Sequence, residues 1–86
     1  IANFAAKDMF VMVYDNQPRN KELISIMERS IEEGYKVVIW PNNIKEKDIN
    51  EMILAGMSKD EVLHIINSNA CSNLSAKLKF KEWRKI

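Results

Sequence analysis

Residues 9 to 14, MFVMVY, are apolar without interruption. A strand with one solvated face would alternate, so this run predicts a strand covered on both faces, as in a parallel sheet. The pattern then changes. Leu23, Ile24, Met27 and Ile31 recur at helical spacing while Glu22, Glu28, Glu32 and Glu33 take the other side, which predicts an amphipathic helix over residues 19 to 33. Pro18 suits its first turn, and Gly34 suits the left-handed position that ends it. Residues 36 to 40, KVVIW, form a second short β-branched run closed by Pro41. Strand, helix and strand in this order make a βαβ unit, so the two strands are expected to be adjacent and parallel.

Polar punctuation marks the elements that follow. Asp48 and Glu51 have the D-x-x-E spacing of a capping box, opening a helix through Ile49, Met52 and Ile53 that stops at Gly56. Ser58 and Glu61 repeat the device ahead of Val62, Leu63, Ile65 and Ile66, the expected apolar face of the next helix. NSNACSN, residues 67 to 73, has the composition of a turn. In the tail LSAKLKFKEWRKI, Leu74, Leu78 and Phe80 suit a helix face, whereas Leu78 and Phe80 between lysines would also fit a strand. The first half of the tail is expected to be helical. The fold class is α/β: a parallel sheet of two strands with three to four flanking helices, in a single domain without repeats or linkers.

Composition sharpens this picture in two respects. The chain has 86 residues, 47% hydrophobic and 29% charged, which describes one small globular unit with much of its surface exposed. Parallel pairs occur mainly inside larger sheets. The chain is therefore expected to be the C-terminal part of a longer protein, or to cover its open edge with a second copy. The formal charge of +1 points to no polyanionic partner, yet the last ten residues carry five cations against Glu82 alone. The single cysteine, Cys71, forms no internal disulfide and lacks zinc-site spacing, which fits a reducing, cytoplasmic setting. No apolar run approaches the roughly 20 residues of a membrane span.

The candidate chemistry lies in the two loops after the strands, DNQPRN and PNNIKEKD. Parallel strands place these loops at one edge of the sheet, where ligands of open α/β sheets bind. Asp15, Asn16, Gln17, Lys47 and Asp48 can converge there. A hard cation such as Mg²⁺ takes one or two carboxylates together with phosphate oxygens and waters, and a nearby lysine can hold phosphate. Structural roles compete with this chemistry. Asp15 serves equally as a turn residue, Asp48 as a helix cap, and Arg19 and Lys21 as a solvated first helical turn. Pro18 has no N–H, which leaves Asp15 fewer backbone donors than an ordinary cap has. His64 is expected to be exposed, and Trp40 and Trp83 to be packing anchors.

VYDNQPRNKE, GYKVVIWP, IKEKDINEMILAG and the closing LSAKLKFKEWRK together resemble the C-terminal half of the Toprim domain found in DNA primases of large tailed phages. That resemblance covers nearly the whole chain and implies a Rossmann-like fold with an acidic metal site. Asp15 matches the first acid of the family's D-x-D, and Gln17 stands where the second would be. Lys47, Asp48, Asn50 and Glu51 match a K-D-x-N-[DE] segment, and the family's early glutamate would lie ahead of Ile1. The implied function is Mg²⁺-dependent RNA primer synthesis on a DNA template by a nucleotidyltransferase. Asp15 and Asp48 are its expected catalytic residues, Asp15 and Gln17 its metal ligands, and Arg19 and Lys47 its phosphate or nucleic-acid contacts. DNA template, RNA primer, nucleotides, a replicative helicase and a second copy are the expected partners. The fragment alone is not expected to catalyse. The alternative is a non-catalytic α/β module for interaction or dimerisation.

Overall fold

A computed structural model describes residues 10–86. Its elements are β1 (Val11–Met12), α1 (Lys21–Glu32), β2 (Lys36–Val38), α2 (Ile49–Leu54), α3 (Lys59–Asn69), β3 (Ala70–Cys71) and α4 (Asn73–Trp83). β1 and β2 are parallel neighbours, with Val11 opposite Lys36 and Met12 opposite Val37. The helix α1 connects them, as the βαβ pattern requires. Met9, the first residue of the expected strand, lies outside the described residues.

Two features differ from the expectation of a two-stranded parallel sheet. The sheet has three strands in the order β1-β2-β3, and β3 runs antiparallel to β2, pairing Cys71 with Val37 and Ala70 with Val38. The sheet is mixed. Its third strand comes from NSNACSN, where α3 passes into extended backbone at Ala70 (φ −79°, ψ 124°) without an intervening turn. Asn69 makes this junction possible, because its side-chain amide donates to the Ile65 carbonyl at 2.8 Å while its own carbonyl accepts from Ile39 N–H. Two residues are too few to show an alternating pattern. The β1 run also departs from expectation, since Val11 and Val13 remain about 40% exposed while Val37 and Val38 are wholly buried. Successive strand residues face opposite sides of a sheet. It is therefore β2, the middle strand, that is covered on both faces.

Helix boundaries follow their caps. α1 starts two residues later than its pattern suggested, because a turn from Gln17 to Asn20 takes Pro18 and Arg19, and the Asn20 side chain then accepts from Leu23 N–H at 3.1 Å. Gly34, at φ 90°, ends α1. Its N–H reaches the Ile31 carbonyl and that of Tyr35 reaches Ser30, the paired bonds of a Schellman motif. Gly56 and Met57 close α2 in the same way. Ser58 and Glu61 form a complete capping box on α3.

The core joins Ile24, Met27 and Ile31 of α1 to the whole run Val37 to Trp40, with Met52, Val62, Cys71, Ala76, Phe80 and Trp83. Burial raises the pKa of the Cys71 thiol above its ordinary value, so it is a packed group and not a poised nucleophile. The tail is one helix almost to its end, and of the three residues expected on its inner face only Phe80 lies there. Ala76, Phe80 and Trp83 are buried, whereas Leu74 and Leu78 are exposed at 68% and 58%. Among the described residues no helix is long and apolar enough to cross a membrane. The buried face of α4 has a measurable consequence: in urea unfolding Phe80→Ala should cost about 3–5 kcal/mol, whereas Leu78→Ala should stay within about 0.5 kcal/mol.

Candidate functional site

The two loops at the carboxyl ends of β1 and β2 meet through one residue, Asn16. Its N–H donates to the Lys47 carbonyl. Its side-chain Nδ2 donates to the carbonyls of Ile44 at 2.8 Å and Glu46 at 3.1 Å. Its Oδ1 accepts from the indole Nε1 of Trp83 at 2.8 Å, across 67 positions of sequence. A primary amide offers two donors and an acceptor, a combination that neither a carboxylate nor a hydroxyl can match here. Asn16 is 9% exposed, so these bonds form away from water, where leaving them unmade is costly. A second indole adds to the same edge: Trp40 Nε1 donates to the Tyr14 carbonyl at 2.8 Å, while the Tyr14 hydroxyl bonds Ser30 Oγ at 2.7 Å. Lys85 N–H donates to the Pro18 carbonyl at 2.8 Å and ties down the end of the tail.

The sequence-derived site residues fall into distinct roles on this frame. Asp15 follows β1 and is exposed; its carboxylate has no hydrogen bond or ion pair among the described residues. It is not the cap of α1, a role that Asn20 fills. Gln17 is engaged, because its Oε1 accepts from Asn20 Nδ2 at 2.9 Å. Asp48 caps α2, with Oδ1 accepting from Glu51 N–H at 2.8 Å. Glu51 Oε2 is enclosed without a hydrogen-bond partner. Lys47 contributes its carbonyl to Asn16 and leaves its side chain exposed. Asp15 and Lys47 are thus brought to the same edge by the bond between their immediate neighbourhoods. Among the described residues no three His, Cys, Asp or Glu side chains gather as a protein-only metal site would need.

A cleft of about 510 Å³ opens beside this junction, lined by Asn16, Pro18, Arg19, Pro41, Asn42, Ile44, Lys45, Trp83 and Lys85. Its lining contains three cations and no acid. Arg19 was legible as a candidate from its place ahead of a helix. Lys85 was legible only as one cation of a basic tail that could grip a nucleic-acid backbone or serve as a solvated face, and Lys45 was not legible, because nothing in the local sequence shows that the β2 loop and the tail end beside Arg19. Lys47 does not line this cleft.

In an alignment 82 residues long that covers 93% of the chain, it is 32% identical to the DNA primase of Enterobacteria phage T4. The chain is similar to part of a phage DNA primase. It spans about a quarter of that protein, 24% of its length. No family model matches the chain.

The Asn16 junction should govern stability. Asn16→Ala strands the Trp83 N–H and two carbonyls, and should cost about 3 kcal/mol or more by urea unfolding. Asn16→Asp should be comparably damaging at neutral pH, because it retains an acceptor for the indole but offers the Ile44 and Glu46 carbonyls no donor.

Proposed function

We propose that the chain is the C-terminal half of a Toprim domain in a phage-type DNA primase, where metal and phosphate are positioned for RNA primer synthesis on a DNA template. The observation that carries this is the unengaged Asp15 carboxylate, held at the carboxyl end of β1 beside the Lys47–Asp48 loop. An open α/β sheet binds its ligands at this edge. The similarity to a DNA primase supports the same reading, and the Toprim and Rossmann-like assignment rests on the matched motifs within a mixed sheet.

The donor set fits a shared Mg²⁺ site and not a self-contained one. Mg²⁺ is commonly bound through one or two carboxylates, with waters and substrate phosphates completing its shell. Asp15 would be the principal ligand. Asp48 has one oxygen committed to capping α2, which leaves the other for the site. Gln17 is the weaker candidate because its oxygen already accepts from Asn20. When bound, the metal would supply charge neutralisation at the transferring phosphoryl group. On the protein side, Asp15 holds negative charge at the edge of the sheet, Asn16 fixes the peptide behind it, and the free Lys47 ammonium offers a phosphate contact. Further carboxylates would come from other segments of the longer protein.

The test uses that longer protein. Asp15→Asn should lower Mg²⁺ affinity by at least roughly tenfold, read by titration, and should suppress primer synthesis. Asp48→Asn separates cap from charge, since Asn caps as well as Asp: stability should hold within about 0.5 kcal/mol while primer synthesis falls. Unchanged Mg²⁺ binding and synthesis in Asp15→Asn would instead support a non-catalytic interaction module.

A further inference from the structure

We infer that the cleft between the β1 loop, the β2 loop and the end of α4 is a phosphate-backbone site for single-stranded nucleic acid, with Arg19, Lys45 and Lys85 as its contacts. This rests on the primase reading and adds a surface that does not include Asp15, Lys47 or Asp48. The three cations come from three separate segments, and no acid lines the space between them. None of the three side chains has an ion pair or hydrogen bond among the described residues; the described ion pair joins Arg84 to Glu28. Unneutralised cations around a shared concavity raise the local concentration of anions.

The backbone beneath each cation is fixed. Lys45 lies between Ile44 and Glu46, whose carbonyls are both held by Asn16 Nδ2. Lys85 is pinned through its own N–H to the carbonyl of Pro18, the residue preceding Arg19. Trp83, two residues before Lys85, is hooked to Asn16. The charged side chains therefore extend from anchored positions, and binding need order only their outer atoms. Pro18, Pro41 and Ile44 supply apolar wall between the charges, suited to sugar and base surface. Charges spread over three segments suit successive phosphates along a strand. Trp83 is 4% exposed and serves as floor, not as a stacking platform.

Binding of a fluorescein-labelled twelve-nucleotide thymidine strand to the full chain, measured with EDTA across a salt series, tests this. Three phosphate contacts predict a slope of log K against log salt of about −2, falling by about 0.7 for each cation removed. Arg19→Ala, Lys45→Ala and Lys85→Ala should each weaken binding several-fold, the triple variant should abolish the salt-dependent component, and Lys45→Arg should retain the wild-type slope. Lys59→Ala, on α3, should change nothing. An unchanged slope in the triple variant would overturn the assignment. So would inorganic tripolyphosphate binding through the same three residues with no strand binding, which would mark the cleft as a free-polyphosphate site. Because the assay contains no Mg²⁺, loss of the metal response in Asp15→Asn leaves this result independent, and failure here leaves the metal proposal standing.

Discussion

The arrangement of this chain depends on the side chain of Asn16. Parallel strands bring the loops after β1 and β2 to the same edge, but topology alone does not fix how closely they approach or where the C-terminal helix ends. Asn16 does both. With two donors toward the β2 loop and one acceptor toward Trp83, it joins three segments that are distant in sequence. Each bond contributes modestly in net terms, but the group is buried, so removing it exposes the full cost of unpaired polar atoms. The surface contacts are weaker by comparison. Arg84 meets Glu28 at 3.4 Å across the α1–α4 seam with both side chains substantially exposed, a geometry that adds little in water.

That junction also explains the face chosen by α4. Leu74 and Leu78 compete for the inward face with Ala76, Phe80 and Trp83, whose two aromatic rings bury more area. A buried indole must satisfy its N–H, and the Trp83 bond to Asn16 fixes the rotation of the helix at its C-terminal end. Ala76 and Phe80 then lie inward with Trp83, at spacings of four and three residues, and Phe80 stacks on Trp83 with ring centroids 6.0 Å apart. These three positions are themselves an apolar stripe at helical spacing, and the indole bond anchors its C-terminal end. Leu74 and Leu78 remain outside because their inward placement would have carried Trp83 away from its acceptor.

The parts of the fold that sequence made legible are those with local physical signatures. Gly34 and Gly56 are both left-handed terminators, Ser58 and Glu61 form their box, Asp48 caps α2, and the βαβ order yields a parallel pair. The misses come from interactions between distant segments. Ala70 and Cys71 become a strand only because Val37 and Val38 offer the partner edge, and a two-residue strand carries no periodicity of its own. The start of α1 was displaced because Asn20 competes with Pro18 for the role of first organising residue. At the site, Asp15 and Lys47 could be brought together by topology. The grouping of Lys45 and Lys85 with Arg19 could not, because it depends on a tail positioned by long-range contacts, the Trp83 bond to Asn16 and the Lys85 bond to Pro18 among them.

Gln17 illustrates how one residue at this edge bears on both proposed sites at once. Its oxygen accepts from Asn20, which in turn caps α1, and a carboxylate could accept the same bond. The structural role therefore does not explain the amide. Electrostatics distinguishes the two. An acid at this position would lie between Asp15 and Arg19 in the chain, adding negative charge to the proposed metal edge while partly neutralising the nearest cation of the cleft. The amide keeps the turn and its link to the cap without that charge. It leaves the proposed metal role resting chiefly on Asp15, and it preserves the full charge of Arg19 for an anionic ligand. On the proposed assignments, the same residue shifts the balance of this edge away from holding a cation and toward holding phosphate.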